Sequence, residues 1–148
     1  MRIISPSLLS ADFSALERQI CVLESCGVTR LHLDVMDGHF VPNLTFGPFI
    51  IEQIKKMTSL HLETHLMISN PNIYINDYIS AGSDTVIIHL EASDNINKDI
   101  NKIKKTGVKA GLAINPDSNE NLLLPYMNII DYILIMSVFP GFGGQSFI

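Results

Sequence analysis

The stretch HLDVMDGHFVPN, His32 to Asn43, opens as a buried strand and then changes character. His32, Asp34 and Met36 stand two residues apart inside an apolar run. Side chains on a strand alternate faces, so the imidazole, the carboxylate and the thioether point the same way. Asp37-Gly38 begins a turn, and the run to Asn43 reads as a loop over the strand end. A carboxylate inside a strand is costly without a partner, so this face has chemistry to explain.

Outward from this stretch, short β-rich runs alternate with helical ones. The expected strands are Arg2–Ser7, Thr29–Val35, Ser59–Met67, Thr85–Leu90, Val108–Ile114 and Tyr132–Val138. Most are near-continuous apolar runs, as in parallel strands covered on both faces. Ser14-Ala15-Leu16-Glu17 reads as a capping box, followed by Leu16, Ile20 and Leu23 at helical spacing and by Gly27 as a stop. A second helix is expected over Phe49–Lys56. A third opens at Asn70-Pro71 and ends near Ala81-Gly82. A fourth carries Ile96, Ile100 and Ile103 and stops at Gly107. A fifth runs from Pro116-Asp117 to about Met127.

This order predicts one parallel α/β domain over residues 1–148, with right-handed crossovers and no internal boundary. Units of about 25 to 30 residues suit a (β/α)₈ barrel or a doubly wound sheet. No strand runs into G-x-G-x-x-G, so the dinucleotide-binding sheet lacks its usual support. A barrel of this type needs eight strands and typically ~250 residues. Six strands therefore mean either an incomplete barrel or an open six-strand sheet.

Composition narrows the partners. The net charge is −5 and Lys and Arg number 10, with no basic cluster beyond short pairs, which disfavours nucleic acid. No apolar run reaches about 18 residues, so no membrane span is expected. Cys21 and Cys26 are five apart and would face different sides of a helix. The N-terminus lacks a signal-peptide core, and a cytoplasmic protein is expected.

Three further polar groups gather at expected strand ends, where parallel α/β sites assemble. His65 shares a face with Met67, and His89 shares one with Glu91. His32, Asp34 and His65 on adjacent strand ends make a candidate divalent-metal site. His39 and His61 read as surface residues. Pro140-Gly141-Phe142-Gly143-Gly144-Gln145 follows the last expected strand, and its bare backbone N–H groups could cradle a phosphate. Met36, Met67 and Met136 would line the same mouth as a polarizable wall.

These residues resemble a known family. Ser5-Pro6-Ser7-Leu8-Leu9-Ser10-Ala11-Asp12, the run from His32 to Pro48, His65-Leu66-Met67, His89-Leu90-Glu91, and Met136 through Gln145 are similar in order and spacing to ribulose-phosphate 3-epimerases. The resemblance implies a TIM barrel of the ribulose-phosphate-binding type, with strands seven and eight absent from these residues. It implies interconversion of D-ribulose 5-phosphate and D-xylulose 5-phosphate in the pentose phosphate pathway. It also implies one divalent ion (Zn, Fe, Mn or Co) held by His32, Asp34 and His65, with Asp34 as an acid/base carboxylate.

By the same resemblance, Ser7 and His65 contact substrate, Gly141, Phe142, Gly143 and Gly144 bind its phosphate, and the three methionines line the site. A complete chain would form a homo-oligomer. Phe139 departs from the residues common at that position. The family's second catalytic carboxylate, an aspartate on strand seven, has no counterpart in this sequence. Two alternatives stay open: a 3-epimerase of a ketohexose 6-phosphate, and a catalytically inactive sugar-phosphate-binding paralogue.

Overall fold

A computed structural model describes residues 3–148. Five strands, β1 (Arg30–Met36), β2 (His61–Met67), β3 (Thr85–His89), β4 (Lys109–Ile114) and β5 (Tyr132–Ile135), form one open parallel sheet in sequence order. Four α-helices connect or precede them: α1 (Leu16–Ser25), α2 (Pro48–Met57), α3 (Pro71–Ser80) and α4 (Ile96–Lys104). This is an arc of a (β/α)₈ barrel, with consecutive strands adjacent.

The two faces of the arc are chemically distinct. Leu31, Leu33 and Val35 of β1 join Leu62, Leu66, Val86, Ile88, Ala110 and Leu112 on the convex side. There they pack against Ile20, Ile51, Ile54, Ile75, Ile100 and Ile103 of the helices, all buried in one core. The concave face is polar low down and apolar at its upper rim. Arg30 Nη1 donates to Glu63 Oε1 at 2.5 Å and to the Tyr132 hydroxyl at 3.1 Å. Met36, Met67 and Val41 form a separate small cluster at the rim. Register sets the layers: His32 pairs with Glu63, Asp34 with His65, and Met36 with Met67.

Three local expectations are corrected. The expected first strand, Arg2–Ser7, begins outside the described residues, and the rest of it is reduced to a bridge between Ser7 and His32. Pro6 has no N–H to donate, so this edge offers the carbonyl of Pro6 to His32 N at 2.8 Å. The sheet therefore holds five strands where six were expected.

At α1, Ser14 does not cap. Asp12 accepts from the backbone N–H and hydroxyl of Ser14 at 2.9 and 2.6 Å, folding Phe13–Ala15 into a 3₁₀ turn, and α1 begins after Ala15 without a side-chain cap. A carboxylate two residues earlier is the stronger acceptor. The expected fifth helix is a 3₁₀ helix, Glu120–Tyr126, capped by Asn119. Pro125 lies inside it and removes an α-helical donor. Elsewhere Gly27, with φ of 79°, ends the α1 segment as expected.

Candidate functional site

Three strand positions converge at the upper end of the arc. His32 and Asp34 project from β1 onto the concave face, and His65 meets them from the register-paired position of β2. Asp34 Oδ1 lies 3.0 Å from His65 Nδ1 and 3.3 Å from His32 Nε2, and those two nitrogens lie 3.4 Å apart. Three donors about 3.0–3.5 Å apart are the edges expected around one ion with ligand distances of about 2.0–2.2 Å. The donor set, two imidazoles and a carboxylate, thus fits a divalent metal and can hold one.

Without an ion, the three groups set one another's charge. Burial, the largest influence on His32, works against its protonation. Hydrogen bonds to Asp34 and Glu63 outweigh it and raise the imidazole to about 9. Burial likewise opposes ionisation of Asp34, yet bonds from His32 and His65 hold its carboxyl well below the usual range. His65 is the opposite case: complete burial, reinforced by the neighbouring imidazoles, lowers it to about 4 despite Asp34. It is neutral at physiological pH and offers a lone pair.

The second oxygen of Asp34 faces a different direction. Oδ2 accepts from the Ser7 hydroxyl at 2.5 Å. Beyond it lies a pocket of about 190 Å³ lined by Ser7, Asp34, Met36, Met67 and Met136, closed by the turn containing Gly141, Phe142 and Gly143. Ser7, Asp34, the three methionines and Gly141 to Gly143 therefore share one cavity, while His32 and His65 reach it only through Asp34 and do not line it. Gly144, with φ of 72°, shapes the turn without lining it. Gln145 Nε2 braces the turn by donating to the carbonyls of Phe139 and Phe142.

The loop after β1 stitches the pocket together. Thr45 Oγ1 donates to the carbonyl of Asp34 at 2.7 Å and accepts from Met36 N. Asp37 accepts from the backbone N–H groups of His39, Phe40 and Ser69, joining this loop to the end of β2. Asn43 reaches the carbonyl of Gly141. Phe40 packs on His89, with ring centres 4.8 Å apart.

His89 and Glu91 lie behind the triad, on the far side of His65. His39 is exposed, as expected. His61 is not a surface residue: it is half-buried on the concave face, 2.7 Å from Thr85 Oγ1. It begins β2 facing inward, four residues and two pleats before His65. Glu63, unnoticed in the sequence, accepts from Ser5 and Arg30 and approaches His32 Nδ1 at 3.7 Å. Its place two residues before His65 was the available signal, since period-two spacing puts both on one face.

Residues 3–148 match the ribulose-phosphate 3 epimerase family. The chain belongs to this family. It is 46% identical to a ribulose-phosphate 3-epimerase of Chlamydia pneumoniae, over 99% of this chain and 64% of that protein. It is 46% identical to one from Bacillus subtilis, over 98% of this chain and 67% of that protein. A chloroplastic ribulose-5-phosphate-3-epimerase of Arabidopsis thaliana is 45% identical, over 99% of this chain and 53% of its own length. The chain thus spans between about half and two thirds of these epimerases, and its five-stranded sheet corresponds to part of the family's barrel. No helix among the described residues is long and apolar enough to cross a membrane.

Proposed function

We propose that the protein carrying this chain is a cytoplasmic ribulose-phosphate 3-epimerase acting on D-ribulose 5-phosphate, and that His32, Asp34 and His65 hold one divalent ion of the Zn, Fe, Mn or Co type. The observation that supports this most directly is the division of labour within Asp34. One oxygen belongs to the donor triad and the other looks through Ser7 into the pocket.

The proton on C3 of the substrate is weakly acidic because it is adjacent to the C2 ketone. A divalent ion bound at the triad supplies positive charge where negative charge develops on the substrate oxygens. Asp34, ionised at neutral pH, takes the C3 proton on one face. Ser7 holds the carboxylate in position through its hydroxyl. Met36, Met67 and Met136 exclude water from the developing carbanion, and the backbone of Gly141 to Gly144 takes the phosphate. Inversion requires a second group on the opposite face. Among the described residues that line the pocket, Asp34 is the sole carboxylate.

Deuterium exchange isolates the step that Asp34 performs. D-Ribulose 5-phosphate is incubated with the protein and a divalent ion in D₂O, and the C3–H resonance is followed. The expected result is loss of that resonance, abolished by Asp34→Asn. Exchange at the parental rate in a folded Asp34→Asn protein overturns the assignment.

A further inference from the structure

A second, larger cavity of about 570 Å³ lies on the other side of the loop after β1. The ends of β1 and β2, that loop and one face of α3 enclose it. Val35 and Ile68, both buried in the core between sheet and helices, close it on the sheet side. Val35 points away from the triad, because its neighbour Asp34 faces the concave side. The cavity is therefore separate from the donor triad, although Met36 borders both it and the catalytic pocket.

Its walls favour an uncharged ring. Phe46, Tyr74 and Tyr78 line it, and the two tyrosines share a face of α3 at a spacing of one turn. Leu44 and Ile73 extend the apolar surface. No lysine or arginine is among the described lining residues, so a phosphate or carboxylate would find no countercharge. The one carboxylate, Asp37, already accepts from three backbone N–H groups, and an ammonium would have to compete with them.

Two polar atoms are left for a ligand. Tyr78 is 5% exposed, and its hydroxyl has no hydrogen-bond partner among the described residues. The only sealed side-chain atoms without a partner there are Arg30 Nε and Asn115 Oδ1, so the Tyr78 oxygen keeps an opening, and the cavity it lines supplies one. A buried tyrosine ordinarily finds a partner for this group. Burial, aided by Tyr74, Asp77 and Asp37, pushes the phenol up to about 12, so the hydroxyl keeps its proton and remains a donor. The second atom belongs to His39. Its Nδ1 lies 2.9 Å from the carbonyl of Asp37, which can only accept, so Nδ1 carries the hydrogen. In the neutral ring this leaves Nε2 as a bare acceptor.

We propose that this cavity is a second small-molecule site, which takes a neutral aromatic ring bearing a carboxamide, the carbonyl on the Tyr78 hydroxyl and the amide N–H on His39 Nε2. A carboxamide carries an acceptor and a donor side by side, and the ring packs among the aromatic walls. The site is independent of what the triad holds.

Benzamide, benzoate and benzylamine have one ring in common and differ in charge, so they test the assignment as a set. Each is titrated into the ¹⁵N-labelled protein and followed in ¹H–¹⁵N correlation spectra. Benzamide is expected to shift the amides of Leu44, Ile73 and Tyr74, to leave those of Ser7 and Gly143 in place, and to bind more tightly than either charged probe. In Tyr78→Phe its affinity should fall roughly 5-fold, the loss of one hydrogen bond. Absence of shifts at Leu44, Ile73 and Tyr74 overturns the proposal, as does equal binding of all three probes or unchanged affinity in a folded Tyr78→Phe. Tighter binding of benzylamine overturns it too, and gives the cavity to an organic cation. Should Tyr78→Phe fail to fold, the ranking of the three probes on the parent decides.

Discussion

Asn43 donates through Nδ2 to the carbonyl of Gly141 at 2.7 Å, joining the loop after β1 to the glycine turn across 98 positions of sequence. The two segments that wall the pocket are therefore held as one unit, although neither belongs to a strand or helix. Asn43→Ala removes one largely shielded hydrogen bond, a loss of about 1 kcal/mol. The expected outcome is affinity for ribulose 5-phosphate roughly 5-fold weaker, with the metal affinity of the triad unchanged. Calorimetric titration of each ligand checks both halves. Equal loss of sugar-phosphate and metal binding would show that Asn43 supports the whole mouth rather than the turn.

Gly141 itself has φ of 129°, a conformation closed to side chains, while an added Cβ would meet Val41 and Pro42 only at ordinary contact distance. The obstacle to Gly141→Ala is backbone strain rather than a clash. A destabilisation of about 1–3 kcal/mol is expected, or relaxation of the turn with loss of phosphate binding. Chemical denaturation together with a phosphate titration distinguishes the two. A variant unaffected in both would show that the turn does not depend on this conformation.

Gly111 poses the reverse case. Its φ is ordinary, but a Cβ would lie 2.7 Å from Ile87 Cγ1, on the register-paired residue of β3. Both residues face inward, and Ile87 is buried. Gly111→Ala should destabilise the chain by about 1–3 kcal/mol through overpacking. Combining it with Ile87→Ala should cost less than the sum of the two single changes, because the smaller side chain yields the space. Additive losses in urea denaturation would show that the contact does not limit the packing.

Five of the six strands, and the gathering of the triad and the methionines at one mouth, were legible because they follow from period-two spacing and apolar runs, both local properties. Pro6 and Pro125 explain two of the errors. Each removes one backbone donor, enough to reduce a strand to a bridge and an α-helix to a 3₁₀ helix. Asp12 prevailed over Ser14 because a charged acceptor two residues upstream captured the hydroxyl that was expected to cap. The face of Glu63 was readable from its spacing to His65, but its partners Ser5 and Arg30, like the contact between Asn43 and Gly141, depend on residues brought together by the closing arc, which no local pattern encodes. His61 was misplaced for a related reason. A histidine at a strand start looks exposed until the neighbouring strand supplies Thr85.

Glu91 gives the chain a measurable acid sensitivity. Its carboxyl is held at about 2 when folded, against an ordinary 4.5. The unfolded chain therefore binds this proton more readily, so the contribution to stability is complete above about pH 4.5 and is lost as pH falls towards 2. Glu91→Gln has no such dependence at this position. The stability difference between parent and variant should be largest near pH 6 and shrink steadily from pH 4.5 downward. Urea midpoints at pH 6 and pH 3 check this, and a difference independent of pH would show that Glu91 acts only through its shape.

The edge of the sheet governs how the 148-residue chain behaves in solution. β5 pairs with β4 on one side only, so its other side presents unpaired backbone donors and acceptors. On its convex face Ile133 and Ile135 are 39% and 59% exposed, where the other strands bury the equivalent residues under helices. An apolar edge strand of this kind recruits another strand. The chain alone is therefore expected to self-associate through β5, giving a concentration-dependent mass by light scattering. Ile135→Lys places a charge on that edge and should shift the equilibrium towards monomer while leaving the buried core of β1 to β4 intact. A monodisperse monomer at every concentration, or self-association unchanged by the lysine, would show that β5 is not the adhesive edge.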